Sequence, residues 1–176
     1  MGNDRRYHCR PQLLVGITLA LLLAGCGYHM AGPGDLPGKA NTVAVTMLIN
    51  RSGESGLEAK VTNALLDEIT RRRQDLVVSV EHADAILSGT IDSLSTQTSA
   101  RSGTLTAAQR KVVITVSLTL KDRTGEVLWQ GSHITAEQDF PVAGAKPQTE
   151  ANRRAALNEV ARRVAEYAYD RLTDNF

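Results

Sequence analysis

The sequence predicts an α+β domain, with two helices packed on one side of a mainly antiparallel sheet of about four strands. Three observations predict it. Val112 to Leu120 alternates apolar and polar residues without a break, which is the period of a half-buried strand. Lys121-Asp122-Arg123-Thr124-Gly125 follows directly and reads as a hairpin turn, with Glu126 to Ala136 returning as the partner strand. Apolar residues at helical spacing lie on either side of this hairpin, in the segments beginning at Leu57 and ending at Leu172. Helices set apart from hairpin-linked strands are the α+β pattern.

In chain order, the first feature is an export leader. Arg5, Arg6 and Arg10 precede an apolar run of eleven residues, Leu13 to Leu23. At 1.5 Å per residue that run falls short of a hydrocarbon core about 30 Å thick, so it reads as a signal segment rather than a span. Leu23-Ala24-Gly25-Cys26 then places small residues before a cysteine. This resembles the lipobox of bacterial lipoproteins, in which the thiol receives a diacylglyceryl group, the chain is cut before the cysteine and the new amino terminus is acylated. Residues 1 to 25 are therefore expected to leave, and Cys26 to anchor the protein through several acyl chains, each buried methylene contributing about 0.8 kcal/mol. Gly27, in place of aspartate, matches the enteric-type rule for passage to the outer membrane.

Taking Arg5, Arg6, Arg10 and Asp4 away from the 20 basic and 19 acidic residues leaves a mature charge near −1. That balance argues against nucleic acid as a partner. Cys9 departs with the leader and Cys26 carries lipid, so the folded part has neither thiol nor disulfide. Residues 26 to 41, rich in Gly and Pro, read as the lipidated end and a tether; residues 42 to 176 are long enough for one domain with its own core.

Thr42 to Ile49 is read as one strand with Val43, Val45, Met47 and Ile49 on one face. Asn50 to Gly53 turns the chain, and Ser55 with Glu58 forms a capping box for the first helix. Leu57, Val61, Ala64, Leu65 and Ile69 make its apolar stripe. Leu76 to Val80 is expected to be a short strand, at the edge of the sheet. The strand from Ile86 to about Thr98 is apolar first and Ser/Thr-rich later, so it runs beyond the core. Trp129 is assigned to packing rather than to recognition. Residues 140 to 148 are a loop, Thr149 caps the last helix with Glu150 in its first turn, and Ala156, Val160, Ala161, Val164, Ala168 and Leu172 face the core.

Nothing in the sequence assembles a catalytic set. His82 and His133 are isolated, and there is no HExxH, C-x-x-C or phosphate loop. No cofactor is implied. The residues leave open a lipoprotein adaptor or activator for another envelope system, such as peptidoglycan synthesis.

A lipobox followed by Gly27-Tyr28-His29-Met30-Ala31-Gly32, a first strand ending in Asn50-Arg51-Ser52, the segment Ala83 to Ile91 (ADAILSGTI), and the run from Leu120 to Trp129 around Asp122, Gly125 and Glu126 together resemble the LptE family of lipopolysaccharide-assembly lipoproteins. The resemblance spans nearly the whole mature chain. It implies a non-catalytic, lipid-anchored subunit on the periplasmic side of the outer membrane that plugs an LptD-like β-barrel, helps to assemble it and binds lipopolysaccharide. The fold it implies agrees with the one read from periodicity.

Lipopolysaccharide is an anionic amphiphile, so a site for it needs Lys or Arg near an apolar edge. Arg101, Arg110 and Lys111 lie in the acid-free stretch from Ser99 to Lys111 and are the candidates for lipid A phosphates. The polar lumen of a barrel suits polar, adaptable segments. Thr96, Ser102 and Arg123, in the Ser/Thr-rich stretch and the hairpin turn, are the candidate barrel contacts.

Overall fold

A computed structural model describes residues 36–100 and 109–174. Cys26 with the leader and most of the tether, together with Arg101, Ser102 and Phe176, lie outside those residues. In order, the elements are β1 (Val43–Val45), β2 (Ile49–Asn50), helix α1 (Leu57–Arg72), β3 (Ala85–Ala100), β4 (Gln109–Asp122), β5 (Val127–Pro141) and helix α2 (Lys146–Thr173).

The sheet is mixed. β3, β4 and β5 form an antiparallel meander, while β1 and β2 both pair in parallel with the first half of β3. The parallel step requires a crossover, and α1 supplies it. Both helices share one core with a single face of the sheet, where Leu87, Ile91, Ile114, Leu118, Leu120 and Ile134 are fully enclosed. On β4 the alternation is complete: Val112, Val116 and their core neighbours are buried, and Val113, Thr115, Ser117 and Thr119 between them are not. Trp129 is buried in this core, and a Cβ added at Gly131 would lie 2.4 Å from its ring.

The ADAILSGTI segment has a physical reason at several positions. Ala83 and Ala85 are enclosed. Asp84 accepts from the backbone N–H groups of Asn41 and Thr42, both at 3.1 Å, and its own N–H donates to Thr42 Oγ1 at 2.9 Å. Gly89 lets β3 approach β4, since a Cβ there would sit 2.4 Å from the Ser117 carbonyl oxygen.

Several expectations are corrected. The strand over 42–49 is two strands with a break, because Thr46 uses its N–H and hydroxyl on the Leu87 carbonyl while the Leu48 N–H turns inward to Thr62 Oγ1 on α1 at 3.1 Å. Leu48 thereby enters the core, and Met47 and Ile49 are left 60% and 62% exposed, where the alternation had placed them in it. Leu76 to Val80 is not a strand. Its pairing is a single parallel bridge, Val43 to Val77, before the Ser79 carbonyl accepts from His82 and Ala83 and folds the segment away.

The capping box is only half present. Gly56, at φ +80°, occupies the N-cap with no side-chain cap, and Glu58 reaches back to its N–H at 3.3 Å. Phe140 and Pro141 extend β5, and α2 begins at Lys146. Thr149 consequently lies inside the first turn, bonding Ala143 rather than capping, and Glu150 lies beyond that turn. The last part of the segment read as tether is folded: Leu36 is buried and Pro37–Lys39 forms one 3-10 turn, with Gly38 against Leu128.

Candidate functional site

The second face of the sheet has neither helix upon it. Because Cα partners in neighbouring strands point their side chains the same way, the register gives its rows directly. Ser88 lies beside Thr119, Thr90 beside Ser117, Ser93 beside Thr115 and Thr135, and Ser95 beside Val113 and Glu137. The result is a face rich in hydroxyls, half-buried to exposed, with Asp92 among them and Lys111, Glu137 and Asp139 toward one end. Part of it is bonded internally. Thr115 and Thr135 hydroxyls lie 3.1 Å apart, and Ser117 donates to Asp92 at 2.6 Å. Each remaining hydroxyl offers one donor and two acceptor positions to a polar surface laid against it.

At one end of this face lie the last described residues of β3 and the first of β4, level with the amino-terminal part of α2, where Asn152 donates to the Pro141 carbonyl at 2.9 Å. Thr96, Gln97 and Thr98 are exposed there, as the polar second half of β3 predicts. Arg110 and Lys111 stand at the root of the same end, but they point to opposite sides of the sheet. Arg110 is registered with Thr98 and Phe140, and Phe140 is buried on the helix side. Lys111 is registered with Gln97 and Asp139 on the hydroxyl side. Lys111 Nζ also bonds Glu137 Oε1 at 2.7 Å, which raises its affinity for the proton above that of a free lysine. Among the described residues Arg110 has no carboxylate partner. The two cations therefore do not converge as one pair, and Arg110 is the one whose guanidinium is uncommitted.

Arg123 belongs to the other end. β4 has 14 residues, so at about 3.3 Å per residue its ends are roughly 40 Å apart. Arg123 Nε donates to the Ala83 carbonyl at 2.8 Å and its Nη2 to the Glu81 carbonyl at 2.5 Å. Asp122 organises the turn by accepting from the Thr124 hydroxyl and the Thr124 and Glu126 N–H groups; the Thr124 hydroxyl first, with those backbone donors, holds its carboxyl below the usual aspartate range. Arg123 is thus a strap between the turn and residues 79–84, a role that the sequence did not disclose.

The same holds for Asn50. Its amide donates to the Glu54 carbonyl and to Glu58 Oε2, both at 2.7 Å, and its Oδ1 accepts from the N–H and hydroxyl of Ser52. Glu54 in turn receives the Arg153 fork at 3.0 and 2.8 Å; that hydrogen bonding lowers the pKa of Glu54 and raises that of Arg153. The Asn50-Arg51-Ser52 motif is therefore a clasp joining β2, α1 and α2.

Between the helices, on the side away from the sheet, lies a groove of roughly 580 Å³ with Lys60, Asp67, Glu68, Arg71, Arg162 and Glu166 on its walls. Its charges are largely used within it. Buried Glu68 is held by Arg71 and Arg72, and Arg162 is held by Glu159 and Glu166. Among the described residues no group of three or more His, Cys, Asp or Glu could hold a metal ion.

Among the described residues the domain thus offers an uncovered, hydroxyl-rich sheet face, with many of its charges spent on internal clasps. The chain belongs to the LptE family, described as lipopolysaccharide-assembly, whose model matches residues 40–172. Members of that family are outer-membrane lipoproteins facing the periplasm, non-enzymatic partners of an LptD-like barrel and of lipopolysaccharide. Sequence comparison with curated proteins gives no match. The fold is similar to that of an uncharacterised lipoprotein B from Nitrosomonas europaea solved by NMR, with a TM-score of 0.56 and 16% identity over 81% of this chain and 87% of that one. The rare lipoprotein B from Shewanella oneidensis gives a TM-score of 0.47 and 15% identity over 70% of this chain and 88% of that one.

Proposed function

We propose that this domain is the plug of an LptD-like barrel, seated with the far half of β3 and the hydroxyl-rich face toward the lumen. There Arg110, with Arg101 and Lys111, holds lipid A phosphates. The observation that carries the reading is the hydroxyl face itself. A monomer in water gains little from an ordered field of Ser and Thr on an uncovered sheet, whereas the polar inner wall of an outer-membrane barrel is a matching surface. Arg110, at the same end of the sheet but on its helix side and without a carboxylate partner among the described residues, supplies the planar fork that suits phosphate. Lys111 contributes after exchanging Glu137 for a phosphate. Thr96 in the second half of β3, Arg123 at the turn, and Ser102, which lies outside the described residues, are the proposed barrel contacts.

Photocrosslinking in cells tests the seating. Probes at Thr96, Ser102 and Arg123 are expected to capture the barrel, and the separation of β4's two ends makes joint capture a requirement for engulfment along the whole strand. Crosslinks confined to the tether near Tyr28 reject the plug. For the ligand, replacing Arg101, Arg110 and Lys111 together is expected to weaken lipopolysaccharide binding with the circular dichroism spectrum and barrel association unchanged. An unaltered dissociation constant removes the site.

A further inference from the structure

The two outer edges of the sheet are built differently. β5, at one edge, carries the devices that keep an edge from pairing. It has a bulge at His133 with φ +53°, the acids Glu137 and Asp139, Pro141 at its end, and the Pro37–Lys39 turn packed over Leu128. β3 is the edge at the other side once its parallel partners stop. β2 ends at Asn50, opposite Ile91, and the last bond on that side runs from the Arg51 N–H to the Ile91 carbonyl at 3.0 Å. From Ser93 to Thr98 the opposite side of β3 stays fully registered with β4, but among the described residues its outer side has no strand. The stretch reads Ser-Leu-Ser-Thr-Gln-Thr, with no charge, no proline and no glycine.

Between register shifts at Ile91/Ser93 and Thr98/Ala100, this regular stretch of edge presents alternating free N–H and C=O groups and is a template for another strand. A charge pattern frames it. Exposed Arg51 stands where the free edge begins and exposed Arg110 stands beside Thr98 where it ends, neither with a carboxylate partner among the described residues. Asp92, the nearest acid, is turned onto the Ser117 hydroxyl. In an antiparallel pairing of two copies, edge to edge, Arg51 of each would lie toward Arg110 of the other, and like charges facing one another destabilise such pairs. The pattern favours a different strand, uncharged over its centre and acidic at its ends.

We infer that the outer edge of β3 from Ser93 to Thr98 takes an added strand from the barrel partner, an extended loop segment with an uncharged centre flanked by Asp or Glu. The added strand continues the row of β1 and β2, with Ile49 beside its entry as an exposed apolar contact. The inference rests on the plug reading, because the closed wall of a barrel has no free strand edges and only its inward-folded loops are available to pair.

Amide hydrogen exchange of the purified lipoprotein–barrel complex and of the free full-length lipoprotein tests it. The peptide covering Ser93 to Thr98 is expected to exchange at least about tenfold more slowly in the complex, as newly bonded strand amides do, with the β5 edge unchanged. Equal exchange in an intact complex overturns the added strand and leaves the plug standing. Protection already present in the free protein also overturns it: concentration dependence identifies a second copy, and independence identifies the protein's own amino-terminal segment. Failure to recover any complex removes the plug reading and the strand with it. Thr96→Lys with Thr98→Lys places charges at the edge without touching the core. The pair is expected to lower complex recovery severalfold at an unchanged thermal midpoint, and undiminished recovery counts against the inference.

Discussion

The two ends of the β3–β4–β5 meander share strands and pleat, yet their polar groups are used in opposite ways. At the turn end Asp84, Asp122 and Arg123 each spend their hydrogen-bonding capacity on backbone groups within the domain. At the far end Thr96, Gln97, Thr98 and Arg110 are exposed, and among the described residues the guanidinium of Arg110 has no carboxylate to hold it. A side chain that satisfies the protein's own backbone is unavailable for recognition, whereas an exposed one in a regular strand costs little to redirect. The turn end thus ties the domain together, whereas the far end keeps polar groups free for contact.

Mutations can break this contrast. The largest effect is expected for Leu120→Ala, which empties a fully enclosed position at the turn end and should lower unfolding free energy by about 2–5 kcal/mol in urea titration. Leu94→Ala, half-buried beyond the β2 pairing, should cost distinctly less. Gly89→Ala forces a Cβ to within 2.4 Å of the Ser117 carbonyl oxygen and should destabilise by about 1–3 kcal/mol, as overpacking does. Arg123→Ala, which removes two bonds to carbonyls, is expected to cost about 1–2 kcal/mol. Arg110→Ala should change stability by less than about 0.5 kcal/mol while weakening lipopolysaccharide binding. Equal destabilisation by the two arginine variants would erase the distinction between the ends.

Acid titration sharpens it further. The Thr42 hydroxyl first, then backbone N–H groups, lowers the pKa of Asp84, and the Thr124 hydroxyl does so for Asp122. A carboxyl lowered on folding contributes stability that is present above its unfolded pKa and is lost as pH falls through the folded value. The thermal midpoint should therefore hold down to about pH 4 and decline below it. Asp84→Asn is expected to make that decline shallower. An unchanged slope would show that Asp84 has the same proton affinity in the folded and unfolded chain.

Much of the fold was legible because it rests on local periodicity. The alternation in β4, the Asp122 and Gly125 turn, the two helix stripes and the polar far half of β3 all state their environment in sequence. What was illegible depended on one distant partner. Nothing local distinguishes Leu48 from Met47 until Thr62 draws the Leu48 N–H inward. Nothing local shows that Arg123 closes on residues 81 and 83, whereas the opposite projection of Arg110 and Lys111 follows from the strand period once β4 begins at Gln109. The family likeness located the motifs, and their distant partners explain Asp84, Gly89 and Asn50.

The parallel pairing of β1 and β2 has a consequence in time. Their partner residues on β3 lie some 40 positions downstream, Val43 with Ala85 and Ile49 with Thr90, whereas β4 and β5 meet through one tight turn. Loop closure makes distant pairings slow to form, so the meander is complete before its first strands dock. A chain delivered amino end first thus presents Leu57, Val61, Leu65 and Ile69 of α1 before the sheet that buries them exists. Its interval of greatest vulnerability to aggregation lasts until β5, which ends at Pro141, has emerged and the meander has formed.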